Sequence, residues 1–441
     1  MSERSDAPVW AGLERRLSGV EAFIPDAPPW RPSIAAESRG TVRLGPALRR
    51  PAAIRPRRSP LVLVIVVIAL LLSLITGAIL VGSFVSEPRP DAEPLGPFGA
   101  LRQGDGDARA ALLADGRTIV VSGEWQGIGN ARARADIWDP VAGFISIDPP
   151  LVARVNPTTT LLLDGRVLVV GGYGGPYQYS SSAIASAEVW DPRTSAFVQT
   201  GAMATARVGH TATVLPDGRV LVVGGAGPDG EAAEAELWDP LTGLFTRAGT
   251  LANPRLGHAA VLLLDGRVMV AGGADPSEGV GVAEVEFWDP SSESFTLGPS
   301  LLDAPRFMSL TRLPSGSVLM AGAFVLPYGP DNYRGVTIWD PAGGAGQSLE
   351  MTRSRDGHTA TLLADGRVMV AGGRSPTGEM LESVELWHPA DGRFHETAPL
   401  SQPAANHTAV LLADGRVLIV LDGSGPDGVV APFFYEPEAM R

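Results

Sequence analysis

The chain contains no cysteine and no lysine; all 35 basic residues are arginine. Without cysteine there can be no disulfide, thiolate metal site, cysteine nucleophile or cysteine crosslink. Without lysine there is no Schiff-base catalysis and no P-loop lysine. Aromatic residues make up only 6% of the chain, and no charged residue occurs between Arg58 and Glu87. What is abundant is glycine (53) and proline (38), alongside 45% hydrophobic residues. That combination describes a turn-rich folded protein, not a disordered one. A length of 441 residues suits two or three domains or one large repeat domain.

The net charge of −13 divides unevenly: residues 1–60 sum to +5 and residues 61–441 to −18. An acidic C-terminal part argues against nucleic acid as a partner, because phosphate binding needs a basic face. The uncharged run over 61–85 is long enough, as a helix, to cross a bilayer core of roughly 30 Å. It is therefore expected to be a transmembrane helix in contact with the lipid bilayer. Arg49, Arg50, Arg55, Arg57 and Arg58 precede it, and Glu87, Arg89, Asp91 and Glu93 follow. The positive-inside rule then makes 1–60 cytoplasmic and the remainder extracytoplasmic, in a single-pass plasma-membrane protein. The arginine-only, alanine- and glycine-rich composition suggests a bacterial source. Segment 1–60 reads as mostly disordered and basic, with a short helix over 9–24. There Val9, Leu13, Leu17, Val20 and Ile24 recur at helical spacing. This helix is a candidate docking element for a cytoplasmic protein, or a membrane-surface helix.

Two markers repeat through the rest of the chain, each about every 50 residues. The first is an Asp-Gly-Arg element at Asp115, Asp164, Asp217, Asp265, Asp365 and Asp414, with Ser315-Gly316-Ser317 filling the gap. The second is Trp-Asp-Pro, at Trp138, Trp190, Trp238, Trp288 and Trp339, continued as Trp387-His388-Pro389 and Tyr435-Glu436-Pro437. Each unit reads as four strands. Asp217-Gly218 is expected to form a two-residue hairpin with both residues at positive φ. The Val-Leu-Val-Val run after it should be buried on both faces. Gly224-Gly225 then ends that strand.

A Gly-Gly pair, an aromatic-Asp-Pro turn and a further aromatic at this period resemble the kelch repeat. Blades one, five and seven depart from it, with Ser122-Gly123, Gly322-Ala323 and Leu421-Asp422 at the glycine pair. The resemblance implies an all-β fold, a seven-bladed β-propeller of four-stranded antiparallel blades over 95–441, after a linker at 86–94. Leu101 precedes Asp115 by the interval that separates Leu251 from Asp265, so strand 95–101 is expected to complete blade seven.

His210, His258, His358 and His407 occupy one place in their repeats, and recurrence marks them as structural. The same holds for Glu188, Glu236, Glu286, Glu385 and the arginines of Asp-Gly-Arg, which are expected to pair across strands or blades. No catalytic residue, metal site or cofactor is expected. Function is sought instead in the variable loops between strands two and three and between blades. Trp125, Arg132, Arg134, Tyr173, Tyr177, Tyr179, Tyr328, Tyr333, Arg334 and Arg374 are the candidate ligand-binding residues there, because aromatic rings with arginine suit protein or glycan recognition. Kelch-like propellers mostly serve in recognition, so the resemblance implies a non-enzymatic binding or scaffold module for a protein or glycan. Two alternatives stand beside it. One is a carbohydrate-active propeller enzyme, epimerase-like or oxidase-like. Galactose oxidase shares the propeller, but its copper site needs a tyrosine–cysteine crosslink that this chain cannot form. The other is a transmembrane sensor coupled to a cytoplasmic partner.

Overall fold

The alternation of short β-rich runs with glycine turns builds seven antiparallel sheets arranged as the blades of a propeller. The computed structural model describes residues 109–125, 131–174, 183–228, 230–277, 280–301, 304–324, 334–340, 344–421 and 432–437. All belong to the larger of two units, Glu87–Arg441. The segments 1–60, 9–24, 61–85, 86–94 and 95–101 lie outside the described residues. Blade three shows the pattern, with strands Thr211–Val214, Val220–Val223, Glu234–Trp238 and Phe245–Thr250 paired in sequence order. Six blades have four strands. Blade seven shows three among the described residues, Thr408–Leu411, Val417–Val420 and Phe433–Tyr435. The first strands neighbour one another in an unbroken circle around the axis, blade one lying beside blade seven.

Packing explains both markers. Second strands such as Val167–Val170, Val220–Val223 and Val417–Val420 are buried at every position, as expected for strands covered on both faces. Each aromatic of the Trp-Asp-Pro element packs onto the blade before it. Trp190 joins the core of blade one, Trp288 that of blade three and Tyr435 that of blade six. Trp138 of blade one packs on Val410, Leu412, Leu418 and Val420 of blade seven, closing the ring. Leucine, valine and tryptophan buried between sheets in this way supply the main stabilisation, about 25 cal/mol per Å² of apolar surface.

The Asp-Gly element differs from the expected two-residue turn. Gly116 donates to the Leu113 carbonyl and the Leu113 amide to the Arg117 carbonyl. Only the glycine has positive φ, 85° at Gly116 and 87° at Gly218. This is a type I turn followed by a glycine bulge, the common three-residue hairpin solution. The arginine also behaves differently from expectation. Arg117, Arg166 and Arg267 each fold back onto the aspartate of their own turn at 2.7 Å. Arg219 alone of these turn arginines adds a carboxylate of the next blade, Glu293 at 2.7 Å.

Candidate functional site

The third-strand glutamates hold the connections between blades. Glu236 accepts from the amides of Ala204 and Thr205 and from Arg207, whose Nη2 lies 2.6 Å away and whose side chain is fully buried. Arg154–Glu188, Arg255–Glu286 and Arg355–Glu385 repeat the arrangement. Where the arginine is lost, in blades five and seven, Thr337 and Phe433 replace the glutamate too, and in blade one, where Asp105 takes its place, the shorter carboxylate Asp136 is paired instead with Arg134. Paired loss is what a buried ion pair requires, since one partner alone would leave an uncompensated charge.

Three residues after Arg207, Arg255 and Arg355, and after Ala404 of blade seven, the chain enters the first strand at the axis. His210, His258, His358 and His407 stand at that entry, on the face that carries the variable loops. Each Nε2 meets a hydroxyl of the preceding blade: Thr158, Thr211, Ser309 and Thr359, at 3.1, 2.9, 3.0 and 2.8 Å. Between blades four and five both partners are replaced, by Ala259 and Met308. Burial is the main force that pulls His210, His258 and His358 down from 6.5 to about 3, with a neighbouring arginine acting in the same direction. These imidazoles are therefore neutral blade-to-blade latches. The glycine pair makes room for them: a Cβ at Gly224, where φ is +64°, would lie 2.5 Å from the His258 ring.

Above the latches opens a cavity of about 650 Å³ on the propeller axis. Its wall carries residues that break the repeat. Asp356 occupies a place filled by Val155, Val208, Leu256 and Ala405 in four other blades, by Gly106 in blade one and by Arg306 in blade five. Its backbone pairs with Arg374 in both directions, at 3.0 and 2.7 Å. Burial pushes the half-buried Asp356 carboxyl above its usual range, against the opposing pull of Arg374. Arg109 stands where other blades have the latch hydroxyl, and donates to Asn156 Oδ1. Asn156 and Asn406 hold left-handed φ values of 58° and 53° where Gly209, Gly257 and Gly357 stand in their blades. A carboxyl with a raised pKa beside a guanidinium can exchange protons with a bound hydroxyl compound.

Of the loop-face candidates, Arg374 lines this cavity. Tyr173 is half-buried and bridges Val155 and Ala183 through its backbone. Arg134 pairs with Asp136 at 3.2 Å, and Arg334 with Glu350 at 3.5 Å. Trp125 and Arg132 lie on paired strands of blade one. Tyr177, Tyr179, Tyr328 and Tyr333 lie outside the described residues. Sequence reasoning passed over Asp356, Arg109, Asn156 and Asn406. Aligning the repeats on the Asp-Gly turn exposes all four as departures from the pattern.

No family profile and no curated protein matches the chain. Among solved structures, it is similar to a fungal alcohol oxidase of the AA5 family determined in complex with copper. The TM-score is 0.62 at 21% identity, covering 78% of this chain and 76% of that one. The propeller is thus shared with an enzyme. This corrects the expectation of a non-enzymatic module, which rested on treating the fold as a recognition scaffold; fold does not decide function. The copper-radical cofactor itself does not fit these residues. The chain lacks the cysteine for the crosslink. The latch Nε2 atoms are each engaged by a hydroxyl of the neighbouring blade. Among the described residues no group of three His, Cys, Asp or Glu side chains could hold a metal ion.

Proposed function

We propose that the chain is a carbohydrate-active propeller enzyme whose substrate enters the axial cavity. The observation that carries this reading is Asp356: a carboxyl at a repeat position that four other blades fill with an apolar residue, raised in pKa by burial and set beside Arg374 at the cavity wall. Asp356 takes the proton of the anomeric hydroxyl and delivers one to the ring oxygen as the ring C–O bond breaks to leave an open-chain carbonyl; closure on the other face of that carbonyl reverses both transfers. Such epimerase-like chemistry balances without an oxidant. Asn156, Asn406 and Arg109 orient the hydroxyls around it. The cavity volume suits a monosaccharide and lies within the usual range for small-molecule sites.

The test is anomer exchange of reducing sugars by the full-length protein, followed by NMR. D356N is expected to slow exchange about a hundredfold or more. Undiminished exchange by D356N would refute the assignment.

The propeller is placed outside the plasma membrane, tethered by 61–85, with 9–24 available to a cytoplasmic protein. The charge asymmetry across the apolar run supports this placement. The substrate would then be a glycan of the cell exterior.

A further inference from the structure

The axial mouth is chemically lopsided. Blades three, four and five bring Gly209, Gly257 and Met308 to it, none of which carries a charged side chain, with the neutral His210 and His258 beside them. Blades six, seven, one and two bring Arg374, Asn406, Arg109 and Asn156. The two arginines flank blade seven, one on each side. Arg109 and Asn156 are departures from the repeat, as is Asn406. An asparagine kept at left-handed φ, where three other blades use glycine, retains a side chain at a conformational disadvantage. Against the two guanidinium groups the cavity wall sets one carboxylate, Asp356, and histidines that are neutral. Residues 61–441 sum to −18, so a positive arc here runs against the charge of its own domain.

We infer that the ligand is an anionic sugar, its carboxylate held by Arg374 and Arg109 and its ring face lying on the Gly209–Gly257–Met308 arc. Guanidinium groups bind carboxylates through paired, charge-assisted hydrogen bonds. Asn156 and Asn406 supply donors and acceptors for ring hydroxyls beside that anchor. A sugar face of C–H groups packs on a surface that presents no charged side chain, and Gly209, Gly257 and Met308 present none. This inference rests on the axial cavity being the substrate site, and adds the class of substrate.

The experiment is calorimetric titration of the full-length protein with D-galacturonate, D-galactose and acetate separately. Galacturonate is expected to bind most tightly, with affinity falling as salt is raised. R374Q is expected to weaken galacturonate about tenfold and to leave galactose unchanged. D356N is expected to keep galacturonate binding, because it removes a negative charge from the wall. Equal affinity for galactose and galacturonate would overturn the inference, as would acetate binding as tightly as the sugar acid. A folded protein that binds none of the three also overturns it. Galacturonate held in an Arg374-dependent manner but never interconverted would sink the enzyme reading alone. Turnover of neutral sugars indifferent to R374Q would sink the anionic-ligand inference alone.

Discussion

The histidine latches make stability acid-sensitive in a defined window. His210, His258 and His358 fall from 6.5 to about 3 on folding, because burial disfavours the imidazolium. Between those values the unfolded chain binds protons that the folded chain does not. Stability from each latch is therefore complete above pH 6.5 and is lost as pH falls toward 3. From pH 7 to pH 5, linkage gives about 2 kcal/mol for each shielded histidine. His210 and His258 are each only 6% exposed, so together they contribute about 4 kcal/mol. His358 is partly open to the cavity and adds the smallest share. A loss of this size is a large fraction of the 5–15 kcal/mol typical of native proteins. The assay is urea unfolding at pH 7, 6 and 5, read by tryptophan fluorescence, which reports the Trp residues sealed between blades. H258Q, which keeps a hydrogen-bonding side chain but cannot titrate, should reduce the pH dependence by about one proton's worth. Wild-type stability that is flat from pH 7 to 5, or an H258Q slope equal to wild type, would refute the reasoning.

Removing one partner of a buried ion pair should be severe: R255A is expected to lose about 3–5 kcal/mol in urea unfolding. The double replacement R255M/E286L should not recover it, because the amides of Ala252 and Asn253 also depend on Glu286. Two glycine variants separate strain from collision. G366A, at φ +86° with open space around it, should cost about 1 kcal/mol. G225A, at φ +93° with its Cβ 2.7 Å from the Val208 carbonyl, should cost clearly more, and equal losses would contradict the close approach. Because the chain has no cysteine, topology can be read from single introduced thiols. In intact cells S291C should react with an impermeant maleimide and S38C should not, and the reverse pattern would overturn the proposed orientation.

The architecture was legible because two markers with one period cannot both be satisfied by anything but repeated, stacked units. The all-apolar second strands announced burial on both faces, and the aromatic of each Trp-Asp-Pro element announced a blade seam. Finer features were not legible. Asp-Gly reads equally as a two-residue turn or as a bulged three-residue one, and only the chain's path decides. The Asp-Gly arginines were expected to pair across strands or blades. Geometry gives each a nearer carboxylate two residues back, in its own turn, from which Arg166 and Arg219 also reach the next blade. The site was sought in aromatic loop residues because rings and arginines mark recognition surfaces. Axial residues look ordinary in sequence: Asp356 is one aspartate among many until the repeats are superimposed and it proves to be the one carboxylate at a place held elsewhere by valine, leucine, alanine, glycine and arginine. The rule of seeking function in unrepeated residues was applied to the loops and not to the strand entries, where departures from the pattern line the axial cavity.

Each sealing aromatic leans on the preceding blade, so assembly has a direction. As the chain is synthesised, blade two can bury Trp190 once blade one exists, and each later blade finds its platform already made. Trp138 is the exception. Its platform is blade seven, the last to emerge. Through nearly the whole of synthesis the leading blade therefore carries an uncovered indole, and its burial is the final event. A ribosome stalled before residue 417 would hold a row of folded sheets with one sticky end, a natural target for chaperones.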